Sequence, residues 1–273
     1  MNTPLVSMPS DLKEENRKAV LYAFHDSGEL TANDVSAKTG ISRQTVKKCI
    51  GYYARNQLLS ACGKGSSSQV GGKRPDLFAL NDQVRLLSIL LHHHEIILNL
   101  MDIHYNNVAS WSSGTQRITC MDMMWELIRA GAEAIFTEQS RDAVIGICMP
   151  MPLATDENQC LRVATPYPSW PKTDYGRSFS VPLAEMFPQA KNILIASDGR
   201  AAGSAVLQEN ALLRTQGELV TFYSASGVGG ALFHNGDLMR GTNGLIGTFG
   251  HILLPLMILK FALAVDVAAL KVW

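Results

Sequence analysis

The spacing of apolar positions predicts two helices near the start of the chain. Apolar residues recur at helical spacing along Asp11–Asp26, and Ser27-Gly28 follows them as a stop. Thr31 and Asp34 indicate a second, shorter helix, because a hydroxyl followed three residues later by a carboxylate is the pattern of a capping box. We expect this helix to end at Gly40, since glycine suits the left-handed turn that closes many helices.

A third helix and a hairpin complete the amino-terminal pattern. Ser42 can cap the helix, and apolar residues mark its inner face at Val46, Ile50 and Tyr53. Two short apolar segments, Leu58–Cys62 and Asp76–Leu80, then flank a tip of Gly, Ser and basic residues at Gly63–Arg74. Three helices followed by a two-stranded basic hairpin are typical of a winged helix-turn-helix, which we assign to residues 1–82.

Residues 83–251 alternate between strand-like and helix-like segments, which predicts an α/β domain. The strand-like segments are Leu87–Leu91, Ile96–Met101, Val144–Met149, Ile193–Ala196, Val220–Ser224 and Gly229–His234. The helix-like segments are Met121–Phe136, Val181–Phe187 and Ala201–Leu213. Asn235-Gly236 is a strong hairpin-turn signal after the last strand. Residues 252–273 form an apolar tail.

Charge distinguishes the amino-terminal region from the rest of the chain. Lys and Arg total 24 and Asp and Glu total 24, yet between Gly40 and Pro75 there are seven basic residues and no acidic one. In a helix-turn-helix the amino end of the recognition helix enters the major groove, while other cations neutralise phosphates. The candidate DNA-binding residues are therefore Ser42, Arg43, Gln44, Thr45, Lys47, Lys48, Lys64, Lys73 and Arg74. The alternative is a solvated basic face on a small helical domain.

Composition and cysteine usage narrow the class of protein. Apolar residues make up 47% of the chain and charged residues 18%, which is typical of a globular protein. The five cysteines include no Cys-x-x-Cys pair and residues 1–10 lack a secretory signal pattern, so we expect a reducing cytoplasm with each cysteine as a small core residue. The apolar run Ile252–Val267 falls short of the about 20 uninterrupted residues that a membrane span needs, because it contains Pro255, Lys260 and Asp266. We therefore predict no membrane partner.

Several residues of the α/β domain are candidates for ligand chemistry. Asp198 lies between a predicted strand and a predicted helix, where it can bind a sugar hydroxyl, act as a base on one, or simply cap the helix. The glycine-rich stretch Ser224–Gly230 either approaches a ligand closely or bends the chain between hairpin strands. A lone histidine such as His251 is more often structural than a ligand. His92-His93-His94 lack the spacing that would direct all three at one metal, and we assign them to a loop.

Motifs along the chain occur in the order found in a known family. In the amino-terminal region they are Ile41–Val46 and Gly71–Pro75. In the body they are Val144–Pro152, Tyr167–Trp170, Val181–Leu183, Ser197–Ala202, Ser226–Gly236, Arg240–Gly244 and Gly250-His251. Together they resemble the ROK family, which groups sugar-responsive bacterial repressors with sugar kinases. The resemblance runs from about residue 12 to His251. It implies a winged helix-turn-helix followed by an incomplete actin-like, ribonuclease H-like domain of the sugar-kinase type.

The chain departs from the family pattern where catalysis would need it. Kinases of the family have an Asp-x-Gly-x-Thr phosphate loop, whereas Asp102–Asn106 keeps only the Asp. Ser197 replaces the sugar-contacting Asn and Thr248 replaces a Glu, while Asp198 and His251 are retained; the resemblance makes these four the implied sugar-binding residues. The family zinc site joins that His to three cysteines, but none follows Cys160, so His251 is the only retained zinc ligand. A tetrahedral site needs about four ligands, and we predict no metal.

These departures favour a cytoplasmic, homodimeric transcriptional repressor of carbohydrate genes that binds a double-stranded DNA operator and needs no cofactor. By resemblance, a sugar or sugar-phosphate effector changes the spacing of two DNA-binding heads. We expect weak effector binding, because Thr248 cannot make the charge-assisted hydrogen bond of a Glu. The tail Ile252–Trp273 resembles nothing in the family and indicates a frameshifted or truncated end. Two alternatives remain: a sugar kinase that phosphorylates a hexose with Asp198 as the base, and a decayed regulator that binds DNA without sensing sugar.

Overall fold

The computed structural model describes most of the chain. The described residues are 9–65, 74–92, 94–136, 141–152, 175–210, 212–215, 217–224, 228–241 and 244–251. Lys73, His93, Cys160, Tyr167–Trp170 and residues 252–273, about which the sequence made predictions, lie outside them. Within the described ranges no helix is long and apolar enough to cross a membrane.

Three helices pack together at the amino-terminal end, as their apolar spacing predicted. They are α1 (Pro9–Ser27), α2 (Ala32–Thr39) and α3 (Arg43–Arg55). The predicted capping box is present at the start of α2: Thr31 N donates to Asp34 Oδ2 at 2.9 Å, and Asp34 N donates to Thr31 Oγ1 at 3.3 Å. Gly40 ends α2 in the left-handed conformation at φ 70°, as expected of glycine there.

A small antiparallel sheet completes this amino-terminal module, which we define as α1–α3 with strands β1–β3. The strands are β1 (Leu30–Thr31), β2 (Leu59–Lys64) and β3 (Asp76–Leu80), in the order β1-β3-β2. The two predicted hairpin strands therefore pair with each other, and the tip between them falls largely outside the described residues. The module core is built from both helices and strands, and its fully buried members are Val20, Phe24, Val35 and Val46.

A five-stranded mixed sheet forms the first subdomain of the body. Its strands are β4 (Arg85–His92), β5 (Glu95–Met101), β6 (Asn107–Ser112), β7 (Val144–Met151) and β8 (Asn192–Ser197), in the order β6-β5-β4-β7-β8. Strands β4, β5 and β6 form an antiparallel meander, and β4, β7 and β8 are parallel. Edge strand β6 was not predicted, because its Asn, Ser and Ala residues carry little apolar signal.

Two helices bury their apolar faces on this sheet. They are α4 (Met121–Ile135) and α5 (Tyr175–Met186). Met124 and Ile128 of α4 share one core with Phe179 and Leu183 of α5 and with the inward residues of the strands. Helix α5 begins earlier than the predicted Val181 and continues through Pro182. Proline belongs by preference in a first turn, so its interior position hid the start of this helix from the sequence.

A second subdomain follows the sheet. It contains α6 (Asp198–Glu209) and an antiparallel sheet of β9 (Glu218–Ser224), β10 (Val228–His234) and β11 (Asp237–Leu238). Helix α6 starts directly after β8 and ends at Glu209, so the predicted limits Ala201–Leu213 were wrong. Leu213 instead begins a 3-10 turn, Leu213–Thr215.

The hairpin signal at Asn235-Gly236 is confirmed, because these two residues connect β10 to β11 with φ of 50° and 81°.

The predicted placement of the cysteines is only partly right. Cys49 is buried, but Cys62 and Cys120 are exposed. Cys62 lies on the solvent-exposed outer part of β2, and Cys120 occupies the position just before α4, where a helix end meets water.

Candidate functional site

The amino end of α3 presents a polar face to solvent. Arg43, Gln44, Lys47 and Lys48 are all exposed, while the opposite face of the helix is buried in the module core. Thr45 N donates to Ser42 Oγ at 3.2 Å, which caps the helix. Of the predicted DNA-binding residues within α3, these four are exposed, whereas Thr45 is half-buried.

Ser42 and Thr45 serve the helix itself. Their two hydroxyl oxygens lie 2.9 Å apart in a further hydrogen bond, so both side chains are already engaged within the cap. A hydroxyl held in this way can still accept or donate one more bond to a phosphate. The cap fixes where the side chains of Arg43 and Gln44 begin, and it gives the exposed face a rigid base.

The hairpin cations have different surroundings. Lys64 forms an ion pair with Asp76 on the facing strand, so its charge is compensated within the hairpin. Arg74 is exposed. The hairpin is therefore less positive than the acid-free stretch between Gly40 and Pro75 suggests. Asp76 follows that stretch directly, and its carboxylate neutralises Lys64.

The strand-to-helix step at β8 and α6 carries the first two predicted sugar-binding residues. Ser197 occupies the N-cap position without a side-chain cap hydrogen bond, and Asp198 is the first residue of the helix. Asp198 therefore does not take the N-cap position that was its alternative role. Its Oδ1 accepts from Gly199 N at 2.7 Å, and a carboxylate is favoured at this end of the helix dipole. Burial, together with the charge of Asp198, raises the pKa of Tyr223 on β9.

Thr248 and His251 lie on the loop after β11. Thr248 Oγ1 donates to Leu245 O at 2.7 Å, which closes a local turn. His251 is the last residue of a short 3-10 turn, Phe249–His251.

Glycines bring these two predicted stretches together. A Cβ placed on Gly229 of β10 would lie 3.8 Å from the Cα of Gly199 and 3.8 Å from the carbonyl oxygen of Gly247. The start of α6 and the loop that contains Thr248 therefore flank the same part of β10. A Cβ on Gly229 would make only ordinary contacts, but a Cβ on Gly199 or on Gly247 would clash with the backbone of Gly230, so glycine is needed at those two positions.

Arg200 is a residue of this site that the sequence reasoning passed over. It is buried at 6% exposure, and its guanidinium donates to the carbonyl oxygens of Gly244 and of Ile246, the latter at 3.1 Å from Nη2. Burial, with the charge of Arg240 nearby, lowers the pKa of this group. Arg200 thus fastens α6 to the loop before Thr248. In the sequence, only the position of Arg200 just after Asp198 hints at a role in this site. The carbonyl groups that Arg200 binds lie more than 40 residues away along the chain.

The segment Asp102–Asn106, which the sequence analysis compared with the family phosphate loop, forms a turn. Asp102 accepts from His104 N at 2.8 Å, from Asn106 N at 2.9 Å and from Asn106 Nδ2 at 2.9 Å. Burial alone would raise the pKa of Asp102, but the hydrogen bonds from Asn106 and His104 outweigh it and hold the pKa below its usual value. The segment is therefore a tight turn closed by its own carboxylate.

Metal-ligating side chains are dispersed over the described residues. No group of three or more His, Cys, Asp or Glu side chains there is close enough to hold a metal ion. His92 is the last residue of β4, rather than part of a loop as predicted, and His94 belongs to the turn after it.

The fold and the ordered motifs together define the family of this chain. The profile of the ROK family matches residues 100–262. Because the match covers more than half of the chain, the chain belongs to the ROK family. The resemblance recognised from the motifs is thereby confirmed. The match continues past His251 to residue 262, so the prediction that everything after His251 is unlike the family was wrong for residues 252–262.

The chain is also similar to named relatives. It is 25% identical over 250 residues to the xylose repressor of Bacillus spizizenii. This alignment covers 88% of this chain and 60% of that protein. It is 19% identical over 243 residues to the xylose repressor of Staphylococcus xylosus. That alignment covers 86% of this chain and 60% of the repressor. The chain therefore spans about 60% of the length of the curated relatives that it matches.

A solved structure supports the mixed α/β fold. The crystal structure of a ROK family transcriptional regulator, a homologue of the E. coli MLC protein, matches with a TM-score of 0.67 at 16% identity. The match covers 89% of this chain and 60% of that chain. At this level of identity the likeness shows the fold, and the amino-terminal helices are consistent with a helix-turn-helix.

Proposed function

We propose that this protein is a DNA-binding transcriptional repressor of carbohydrate metabolism genes. The observation that carries the proposal is the exposed Arg43, Gln44, Lys47 and Lys48 face at the capped amino end of α3. Support comes from the named relatives, which are xylose repressors. The protein acts in the cytoplasm as a homodimer on a double-stranded operator, and it needs no cofactor.

The DNA-binding domain in this proposal is residues 1–82. Helix α3 is the recognition helix, with Arg43 and Gln44 reaching base edges in the major groove and Lys47 and Lys48 reaching phosphates. The β2–β3 hairpin is the wing, on which Lys64, Lys73 and Arg74 contact the backbone. Lys64 contributes less binding free energy than an unpaired lysine would, because it must break its ion pair with Asp76 before it binds a phosphate. Ser42 and Thr45 add hydroxyl contacts from the cap.

Residues 83–251 are the sensor in this proposal. A monosaccharide or its phosphate binds between the start of α6 and the loop after β11, where Ser197, Asp198, Thr248 and His251 supply the contacts. The close approach of both stretches to Gly229 supports a single site. Binding is weak because Thr248, already bonded to Leu245 O, offers neither the charge nor the reach of a glutamate.

The protein does not transfer phosphoryl groups. A kinase must cradle and neutralise nucleotide phosphates, and the segment at the family phosphate-loop position here folds as a turn closed by Asp102. In a kinase Asp198 would be the base, so the same residue separates the two functions experimentally.

Selection from a genomic fragment library tests the main proposal. Purified protein is incubated with duplex fragments at several salt concentrations, and the bound fraction is sequenced. We expect enrichment of one operator sequence and binding that falls steeply with salt, because phosphate contacts release counterions. The variant Arg129→Ala serves as a control. It removes an exposed cation on α4, far from α3 in sequence, and it should select the same operator with the same salt dependence. Binding without sequence preference or without salt dependence would refute the proposal.

A further inference from the structure

Arg214 lies where the amino-terminal module meets the second subdomain. Its Nη2 is 2.9 Å from Oδ1 of Asp26 near the end of α1, and the guanidinium lies 4.4 Å from the centre of the Tyr22 ring. The side chain of Arg214 is only 11% exposed. The Asp26 side chain is 41% exposed, so the pair is shielded from solvent on the Arg214 side only. The stacking on Tyr22 adds a contact that lysine would make poorly.

A second ionic contact joins the same two bodies. Lys18 Nζ of α1 lies 2.5 Å from Oδ1 of Asp237 on β11 and 3.5 Å from Gly236 O. Both groups are substantially exposed, so this pair contributes little by itself. A cavity of about 680 Å³ separates α1 from the β10–β11 hairpin beside these contacts. The second subdomain therefore holds α1 mainly through side-chain contacts at a few points.

The first subdomain holds the module in a different way. Val84 and Ile103 are buried in the same core as Val20 and Phe24, and Ile145 packs against that core. Apolar packing of this kind is continuous, so the module is attached to the first subdomain along a shared core. The module thus bridges two subdomains, with an apolar attachment to one and an ionic attachment to the other.

The turn at Asp102–Asn106 reinforces this bridge. His104 Nε2 lies 2.9 Å from Oδ1 of Asp82, two residues after β3, and the Tyr105 ring lies 5.5 Å from the ring of His25 on α1. Asp26 is also 3.2 Å from His25 Nδ1, so the contacts of Arg214 and Tyr105 converge on neighbouring residues of α1. Tyr105 of this turn therefore contacts α1, and His104 contacts the segment that follows β3.

We propose that Arg214 is a positioning residue for DNA binding, which fixes the orientation of the module by joining α1 to the second subdomain. This proposal rests on the proposed function only where it is tested by DNA binding. Arg214 lies on the 3-10 turn that follows α6, and α6 begins at Asp198. A ligand that moves α6 against the five-stranded sheet therefore moves Arg214, and Arg214 pulls α1 with it.

Cross-link trapping tests the positioning role without DNA. Lys18→Cys and Asp237→Cys replace two side chains whose charged ends touch across the junction. Since a contact made by the end of a lysine leaves the two backbones farther apart than a disulfide spans, a short bis-maleimide reagent bridges the two thiols. Peptide mapping identifies the bridge and separates it from products of native Cys62 and Cys120. We expect fast trapping when Arg214 is present and at least a fivefold slower rate with Arg214→Ala. Arg214→Lys should fall between them, because it keeps the charge and loses the stacking. Arg129→Ala is the matched control and should leave the rate unchanged.

Equal trapping rates in Arg214→Ala and Arg129→Ala would overturn the proposal. Where Arg214→Ala fails to fold, the exchanged pair Arg214→Asp with Asp26→Arg restores the ion pair and takes its place, and it should trap at near the original rate. Failure of the exchanged pair to trap faster than Arg214→Asp alone would equally overturn it.

The DNA readout distinguishes positioning from general stability. On operators whose two half-sites are moved apart by single base pairs, we expect Arg214→Ala to lose the spacing preference of the original protein, and the exchanged pair to recover it. A residue that acts only on stability would lower binding equally at every spacing, and that result would overturn the proposal. If the original protein binds no DNA at all, the proposed function fails, whereas the trapping rates still decide the role of Arg214.

Discussion

Gly199 at the start of α6 lies directly against Gly230 of β10, and a Cβ on Gly199 would come within 2.5 Å of the Gly230 nitrogen. The helix and the strand therefore approach each other backbone to backbone. Because Asp198 is the adjacent residue, this contact sets how far the predicted sugar-binding carboxylate stands from the sheet. The relationship links the packing of the second subdomain to the geometry of the candidate site.

The first prediction concerns this contact. Gly199→Ala should lower the free energy of unfolding by about 1–3 kcal/mol, because a methyl group forced against backbone cannot be accommodated by rotation of a side chain. Chemical denaturation followed by circular dichroism measures the change. Gly217→Ala is the control, since a Cβ there meets nothing within 4 Å, and it should change stability by less than about 0.5 kcal/mol. Equal effects of the two substitutions would contradict the close contact.

The second prediction concerns the capping box of α2. Thr31→Ala should cost about 1 kcal/mol, whereas Thr31→Ser keeps the hydroxyl and most of the stability. Hydrogen bonds from the side chain and backbone of Thr31 lower the pKa of Asp34. A carboxyl whose folded pKa is lowered stabilises the protein above its unfolded pKa, and this contribution disappears as the pH falls through the folded value. The difference between Thr31→Ala and the original protein in thermal melting should therefore shrink in acid. A difference that stays constant down to pH 2 would show that the carboxylate plays no part.

The sequence predicted those parts of the fold whose signals are local. The caps at Thr31 and Ser42 and the turn at Asn235-Gly236 depend on neighbouring residues, and the structure shows each of them. Strand β6 was missed because an edge strand with one exposed side needs few apolar residues. The turn at Asp102 also depends on neighbouring residues, because its carboxylate accepts from backbone groups two and four residues later, so the sequence could have predicted it.

The candidate site was less predictable because its contacts are distant in sequence. Arg200 bonds to carbonyls on the loop before Thr248, and Arg214 pairs with Asp26 from 188 residues away. No spacing rule connects such positions. The sequence identified Asp198 by its place after a strand, but the fastening of α6 by Arg200 follows only from tertiary packing.

The third prediction separates base recognition from phosphate contacts. Arg43→Ala should cost about 1–3 kcal/mol on the preferred operator and should relax its sequence preference, because Arg43 reads a base edge in the proposed complex. Lys47→Ala should weaken all sequences alike and reduce the salt slope by about one unit. Fluorescence anisotropy titrations on operator and scrambled duplexes measure both effects. The assignment of roles is wrong if Lys47→Ala alters the sequence preference while Arg43→Ala leaves it intact.

The fourth prediction concerns catalysis. With ATP, magnesium and a panel of hexoses, the purified protein should release no product above background. The physical reason is that Asp102, which the sequence analysis assigned to the start of the family phosphate loop, is held by Asn106 and His104 in a closed turn. A coupled assay for ADP measures turnover. Turnover that disappears in Asp198→Asn would instead establish the kinase function.

The last prediction concerns the sensor. Calorimetry with xylose, glucose, N-acetylglucosamine and their phosphates should give dissociation constants no tighter than the millimolar range, and these sugars should barely alter DNA binding. Thr248 limits the affinity because its hydroxyl already donates to Leu245 O and carries no charge. Thr248→Glu should therefore tighten binding about tenfold or more, since a charge-assisted hydrogen bond contributes about 1.5–3 kcal/mol. Asp198→Ala in the Thr248→Glu background should remove that gain, because both side chains address one ligand. A micromolar constant for the original protein, abolished by Asp198→Ala, would show that the sensor binds tightly without the glutamate.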